Sequence, residues 1–489
     1  MDMTFLYWIP LLLPAAAGLA VGLVRPLSGK RALPAVTMTA TVLSLAASAL
    51  IAVTQPGSLT LLSMTDALTV SLRADTLSSL FAILTGSAWL LVLIYAFGYM
   101  AEDAHAPRFY AWLMLSYSAL SGLFYAENLV SMYLFFEFVT LLSMPLVLQD
   151  RTKESIAAAV KYLLYSLAGA FMGLFGLFVL YSCADNAVFT AGGIALNAAG
   201  REGLLYTASF LVLTGFGVKA GLFPLHGWLP SAHPVAPAPA SALLSGVIVK
   251  AGVFASLRWV FYTVGADFLR GTWVQTAYLT LAMITIFMGS MMAYREDGFK
   301  KRLAYSTVSQ LSYILLGIGL LHPAALTGAL LHVVYHSVTK NTLFLAAGSV
   351  IHHTGKKNVS ELRGVGQRLP VTMWCFTIAS VTLIGIPPMS AFYSKWYLAE
   401  GALASGAGSA VWLAPVVLLV SALLTAGYLL PVSIRAFFPG HDFPAEKRMP
   451  EDARMVVPML VFTLAAAVFG VWSGPVGQAV AQIVGTVLP

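Results

Sequence analysis

Seven side chains define the chemistry open to this sequence: Glu137, Lys219, Lys250, His332, His336, Lys340 and Lys395. Each stands in a run of apolar residues, where ionisable groups are rare. A charge at the centre of a bilayer costs about 2.5–3.5 kcal/mol on insertion scales, so such residues face a bundle interior, pair with one another and mark an ion path. Glu137 is the only acid near the middle of such a run, in Tyr133-Leu-Phe-Phe-Glu-Phe-Val-Thr140. An acid in apolar surroundings is biased toward its neutral form, and an approaching ammonium reverses that bias. A lysine taken out of water gives up its proton more readily than one in water. A Glu–Lys pair whose separation changes can therefore load and release a proton, and Glu137 with Lys219 is the expected gate. The plainer reading makes Glu137 a static partner of a buried lysine.

Lys250, one segment further on, is the expected next carrier. His332, His336 and Lys340 follow i, i+4, i+8 spacing and so share a helix face. Histidine titrates near neutral pH and suits a relay. The HxxxH pair could instead hold a metal, but no acid or third ligand stands nearby in sequence, or the pair could simply hydrogen-bond between helices. Lys395 follows Pro387-Pro388 by about two turns and is the expected counterpart of Lys219. Lys161 and Arg258 also lie in apolar runs, and Arg258, near a helix end, is expected to reach the interface. His226 and His233 flank a break and are expected to line a wet cavity, whereas His352 and His353 are expected to be solvated.

The elements that position these groups are helices. Hydrophobic residues make up 59% of the chain and charged ones only 10%, against about 25% charged in soluble domains. A bilayer core needs about 20 apolar residues per helix. Fourteen such segments lie near 4–24, 33–53, 75–98, 108–126, 129–149, 155–182, 203–223, 239–262, 271–294, 302–321, 324–352, 370–400, 410–435 and 455–473. The chain is read as an all-α membrane protein of about fourteen transmembrane helices. The first segment lacks a basic leader and is read as a spanning helix, not a cleaved signal peptide. Residues 59–73 alternate like a hairpin outside the membrane, and the tail from Gly474 to Pro489 is read as an interfacial helix.

Two segments are interrupted, at Phe223-Pro224-Leu225-His226 with Pro230, Pro234, Pro237 and Pro239 beyond, and at Gly385-Ile-Pro-Pro388. Broken backbone at membrane depth persists only where it is buried in protein or lines a cavity, and paired breaks point to a transport site between two related halves. Most of the 27 Lys and Arg residues fall in odd-numbered loops, among them Lys30, Lys300, Lys301 and Arg302, while even-numbered loops hold only Arg73, Arg201 and Arg270. The positive-inside rule puts the odd loops in the cytoplasm and both termini outside.

The two cysteines, Cys183 and Cys375, have no partner at cluster, zinc or CxxC spacing. No glycine-rich phosphate loop follows a strand. No cofactor, metal or redox centre is expected. The net charge of +7 reflects loop topology, so nucleic acid is not an expected partner.

The stretch Val218-Lys-Ala-Gly-Leu-Phe-Pro-Leu-His-Gly-Trp-Leu-Pro-Ser-Ala-His233, with Ala236-Pro-Ala-Pro-Ala-Ser241 and on to Lys250, resembles the proton-conducting antiporter-like membrane subunits. These occur in Mrp-type cation/proton antiporters, as the D-type subunit, in complex I and in membrane-bound hydrogenases. Lys301-Arg-Leu-Ala-Tyr-Ser-Thr307, His336 to Gly348, and Gly385 to Trp396 match as well, and the resemblance covers roughly residues 70–435. It departs at Ala391 and Ala240, neither of which titrates. The resemblance implies two inverted five-helix repeats, 108–262 (helices four to eight) and 263–435 (helices nine to thirteen), after N-terminal helices in 1–107 and before a C-terminal helix and tail in 436–489. It implies that Glu137 is the fifth-helix glutamate, Lys219 and Lys250 the seventh- and eighth-helix lysines, His332 and His336 part of a central hydrophilic axis, and Lys395 the end of the path. It further implies H+ or Na+/H+ transport in a prokaryotic inner membrane, beside other membrane subunits that would carry any oxidoreductase activity. Lysine at 395 and the length of the chain favour the D type. A stand-alone cation transporter or channel and a structural membrane anchor are the alternatives.

Overall fold

The computed structural model describes residues 3–29, 31–65, 68–184, 187–408, 411–440 and 447–488. Lys30, the first residue of the segment at 410, and Pro489 lie outside them. Helices account for nearly all of the regular structure: α1 Thr4–Leu23, α2 Ala32–Thr54, α3 Thr76–Tyr99, α4 Ala106–Tyr125, α5 Leu129–Val147, α6 Lys153–Tyr181, α7 Glu202–Lys219, α8 Leu229–Val235 and α9 Ala238–Val264. The second half continues with α10 Trp273–Arg295, α11 Phe299–Gly319, α12 Pro323–Thr354, α13 Pro370–Ile384, α14 Ser390–Ala404, α15 Leu413–Phe437, α16 Ala453–Val471 and α17 Gly474–Val487. Among the described residues, nine helices are long and apolar enough to cross a bilayer. The chain is thus an all-α, multi-pass membrane protein.

Helices at the rim show lipid-type surface; those at the centre do not need it. α9 is buried along its whole length, and α12 is buried at every residue from Gly328 to Val350. That is why α12 can hold His332, His336, Lys340 and Asn341 and still be part of a membrane bundle. Its polar face meets protein on all sides, where partners offset the cost of desolvation. α9 contains two wider π turns, Leu244–Ile248 and Arg258–Val264. The first ends two residues before Lys250. A π bulge shifts the side chains that follow it and is frequent at functional sites.

The connections gather at two polar ends. At one, β1 (Leu59–Ser63) and β2 (Thr69–Leu72) form the antiparallel hairpin expected for 59–73, with a bulge between Thr60 and Leu62. It ties into neighbouring loops through Arg73 N–H to Tyr125 C=O (2.7 Å) and Glu127 N–H to Ser71 C=O (3.0 Å). At the other end the basic-rich loops bind one another: Phe299 N–H to Lys357 C=O (2.8 Å), Val359 N–H to Asp297 C=O (2.8 Å), and Met449 N–H to Arg368 C=O (2.9 Å).

Both expected breaks are present. α7 stops at Lys219, a turn earlier than Pro224 alone would require, because Gly221 adopts φ +77°. α13 stops at Gly385, with φ +89°. Glycine is the residue that ends a helix in this left-handed conformation without a Cβ penalty.

A buried row of cations between two broken helices

Lys219 is the last residue of α7 and is 1% exposed. Its ammonium donates to Thr140 Oγ1 on α5 and lies 5.1 Å from the Phe136 ring and 5.5 Å from the Tyr162 ring. Glu137 stands one turn before Thr140 on α5, half-buried, and its Oε1 has no hydrogen-bond partner among the described residues. The expected gate pair is thus brought to one place but is not joined. The two groups act on each other electrostatically, yet the hydrogen bond goes to the threonine. Thr140 was not legible as a site residue, because a hydroxyl in an apolar helix carries no distinctive spacing.

α9 packs directly on this end of α7: a Cβ at Gly252 would stand 3.1 Å from Lys219 Cβ. Lys250, two residues earlier, is also 1% exposed. Its Nζ reaches His336 Nδ1 at 2.8 Å and donates to Ser245 C=O at 2.9 Å. The His332 and His336 rings are 5.9 Å apart, and His332 Nδ1 lies 2.9 Å from Ser394 Oγ on α14. Lys395 is the next residue. Its Nζ lies 5.3 Å from the Tyr313 ring, which in turn stacks on His332 at 5.5 Å. Lys340 branches away toward α11 and α15, donating to Leu303 C=O (3.0 Å) and Ser306 Oγ (2.7 Å), and Ser306 also takes the Tyr428 hydroxyl (2.7 Å). The shared helix face of His332, His336 and Lys340 is therefore real, but each residue serves a different neighbour. The Nε2 atoms of both histidines have no hydrogen-bond partner among the described residues.

Lys161, on α6, donates to Ser231 Oγ on α8 at 3.0 Å, so a second cation holds the piece beyond the first break. His226 lies half-buried in that break, and His233 is fully buried in α8.

Further cations meet protein rather than solvent. Arg258 is held inside the bundle. It is 2% exposed and binds both carboxylate oxygens of Asp75 and Ser78 Oγ, with the Tyr262 ring 4.4 Å from its guanidinium. Asp75 is the α3 N-cap, accepting from Ser78 N–H at 2.8 Å. Its distance in sequence hid the pair. Lys300 and Arg302, counted by sequence among the odd-loop cations, are largely buried. They are 8% and 9% exposed within the first turn of α11, and the Lys300 ammonium donates to Ala236 C=O.

Taken together, apolar spanning helices, two interrupted helices and a buried series of titratable groups define a membrane protein of the ion-transporting class. The NADH:quinone oxidoreductase/Mrp antiporter transmembrane family matches residues 126–425, and the family described as NADH-ubiquinone oxidoreductase (complex I), chain 5 N-terminus matches 62–110. The chain belongs to the NADH:quinone oxidoreductase/Mrp antiporter family. It is 33% identical to NADH-quinone oxidoreductase subunit N of Desulforudis audaxviator, over 86% of this chain and 85% of that one. It is 29% identical to the D-type subunit of the Na(+)/H(+) antiporter of Bacillus subtilis, over 86% and 84%. Its fold matches a chain of the Mrp complex from a Dietzia species with TM-score 0.85 at 21% identity, over 99% of this chain and 98% of that one. These relatives and neighbours are subunits of multisubunit membrane complexes, and this chain is an antiporter-like member of that group.

Proposed function

We propose that this chain moves protons, alone or in exchange for Na+, along the buried row from the Glu137–Lys219 region through Lys250, His336 and His332 to Lys395. The observation that carries the reading is the Lys250–His336 contact of 2.8 Å. It joins two fully buried titratable side chains from α9 and α12 that a purely structural role would not leave facing each other. Thr140 and Glu137 offer the Lys219 ammonium two acceptors one helical turn apart. Moving between them changes how tightly the lysine holds its proton, which is the working of a gate. Low local dielectric strengthens that coupling beyond its value in water.

The relatives' names support H+ or Na+/H+ transport in a multisubunit assembly. The chain carries the ion path, and any oxidoreductase activity belongs to partner subunits. The full reading has fourteen spans in two inverted repeats, 108–262 and 263–435. Its basic loops face the cytoplasm and both termini face outward across a prokaryotic inner membrane. The test is pH-gradient formation in vesicles holding the assembled complex. Glu137→Ala and Lys219→Ala are each expected to abolish it with the complex still assembled. A normal gradient in both variants would overturn the reading.

A further inference from the structure

A cavity of about 580 Å3 lies between α3, α12, α16 and α17. On α3 it follows one stripe, Thr76, Leu80, Leu84, Ser87 and Leu91, spaced by three or four residues and so on a single helix face. Leu80, Leu84, Ser87 and Leu91 are each only half-buried, so protein does not fully cover the stripe. Val461, Ala465 and Phe469 face the cavity from α16, again four residues apart. Polar groups gather where α3 begins, next to the β1–β2 hairpin: Gln55 lines the cavity there and donates to Ser79 Oγ at 3.3 Å. Deeper in, the hydroxyls are those of Ser87 and Ser337, and a helical serine can turn back onto a carbonyl of its own helix. Among the described residues, no charged side chain lines the cavity.

Dimensions decide what fits. From Thr76 to Leu91 the stripe rises about 22 Å, whereas half of the hydrocarbon core is about 15 Å deep. The cavity therefore runs from the hairpin-side interface past the middle of the bilayer. A helix of that length, about 10 Å across, fills about 1,700 Å3, three times the space present. An extended peptide would bring backbone N–H and C=O groups that an apolar wall cannot bond. An unfilled apolar void forfeits dispersion contacts along its whole lining. A single hydrocarbon chain fits the length, the width and the lack of charge, and the bilayer supplies it.

We infer that this cavity is a lipid site, holding one acyl chain of a phospholipid from the hairpin-side leaflet, with its head near Gln55 and Thr76 and its tail reaching Leu91. The inner wall is Val334 and Val338 of α12. Each is two residues from His336, and Val338 is two from Lys340, so both valines lie on the opposite side of that helix. The tail thus packs against the back of the helix that carries the row. The site stands apart from the proton-moving reading and does not depend on which ion is moved.

The test uses the assembled complex, reconstituted in phosphatidylcholine vesicles doped with a phosphatidylcholine that carries a diazirine midway along one tail. The complex is extracted, washed in lipid-free detergent to strip bulk lipid, irradiated and mapped by peptide mass spectrometry. Adducts are expected on α3 between Leu80 and Leu91 and on α16 between Val461 and Phe469. Ser87→Phe and Ala465→Phe, singly or together, fill the cavity and are expected to lower these adducts at least fivefold. Leu464→Phe, on the 65% exposed side of the same helix, is expected to leave them unchanged. A phosphatidylglycerol with the same tail should label equally, because no charged side chain lines the cavity. Absence of these adducts from the washed wild-type complex would overturn the site by itself, whether or not the filled variants assemble. Equal labelling in the filled variants, or a tenfold preference for one headgroup, would overturn it too.

Discussion

The two broken helices use a lysine in opposite ways. At the first break, the carbonyls freed at the end of α7 are taken by the chain itself and by a fixed indole. Leu222 N–H bonds Gly217 C=O at 2.8 Å, Gly221 N–H bonds Val218 C=O at 3.0 Å, and Trp228 Nε1–H bonds Val218 C=O at 2.8 Å. The Lys219 ammonium takes no part and points across to α5. At the second break, Lys395 itself closes the helix end, donating to Leu383 C=O (2.7 Å) and Ile384 C=O (2.9 Å). A cation there also meets the negative end of the α13 dipole. One lysine bonds a side chain across the bundle and the other is tied to backbone. On the function proposed above, the first break would serve as a switch and the second as a fixed terminus.

The strongest way to break this comparison is to remove both amines. Lys219→Met and Lys395→Met are each expected to lower proton translocation by about 10²-fold or more, the usual scale for losing a positioned proton carrier. Their effects on stability should differ. Lys395→Met leaves two helix-end carbonyls without their donor, at about 1–3 kcal/mol each, and should lower the thermal midpoint of the purified complex clearly. Lys219→Met removes a desolvated amine whose loss exposes no backbone group, so the midpoint should hold. Equal midpoints would erase the distinction between switch and cap.

Glu137→Gln sharpens the switch. It keeps the shape of the side chain but removes the charge that Lys219 responds to. A drop of roughly tenfold in translocation is expected, about 1.4 kcal/mol of lost coupling, without loss of assembly. Thr140→Val should act more mildly and in a telling direction. A hydrogen bond to a charged group is worth about 1.5–3 kcal/mol, so its removal leaves the Lys219 ammonium to Glu137. Infrared difference spectra should then show the Glu137 carboxyl band shifted toward the ionised form, with translocation slowed several-fold. An unchanged band would mean that Thr140 does not compete for the lysine.

Much of this was legible in the sequence. Proline and glycine clusters mark both breaks because each removes a helix option outright. An ionisable side chain in an apolar run is conspicuous, so Glu137, Lys219, Lys250, His332, His336, Lys340 and Lys395 could all be named. Spacing on one helix placed His332, His336 and Lys340 on one face. Partners across the bundle were not legible. Arg258 meets Asp75 across 183 positions of sequence, and Lys250 meets His336 across 86. No local pattern encodes such contacts. Lys300 was hidden for a different reason. It stands in the run Lys300-Lys301-Arg302, which reads as part of an odd-numbered basic loop, although its first residue turns inward to the elbow at Ala236. Local charge density predicts topology, and only tertiary contact tells which member of the run is buried.

The smallest effect separates the relay from the cap within the second break. Ser394 donates its hydroxyl proton to Ala391 C=O at 3.0 Å. With that proton so placed, its oxygen accepts from His332 Nδ1–H at 2.9 Å, which would favour the tautomer whose Nε2 is an acceptor. Ser394→Ala removes the bond but leaves Lys395 on the carbonyls of Leu383 and Ile384. A neutral hydrogen bond contributes about 1 kcal/mol, so translocation should slow about fivefold while the thermal midpoint moves little. If Ser394→Ala lowered the midpoint as far as Lys395→Met, the histidine and the cap would be one structural unit, and α14 would not carry a relay apart from its anchor.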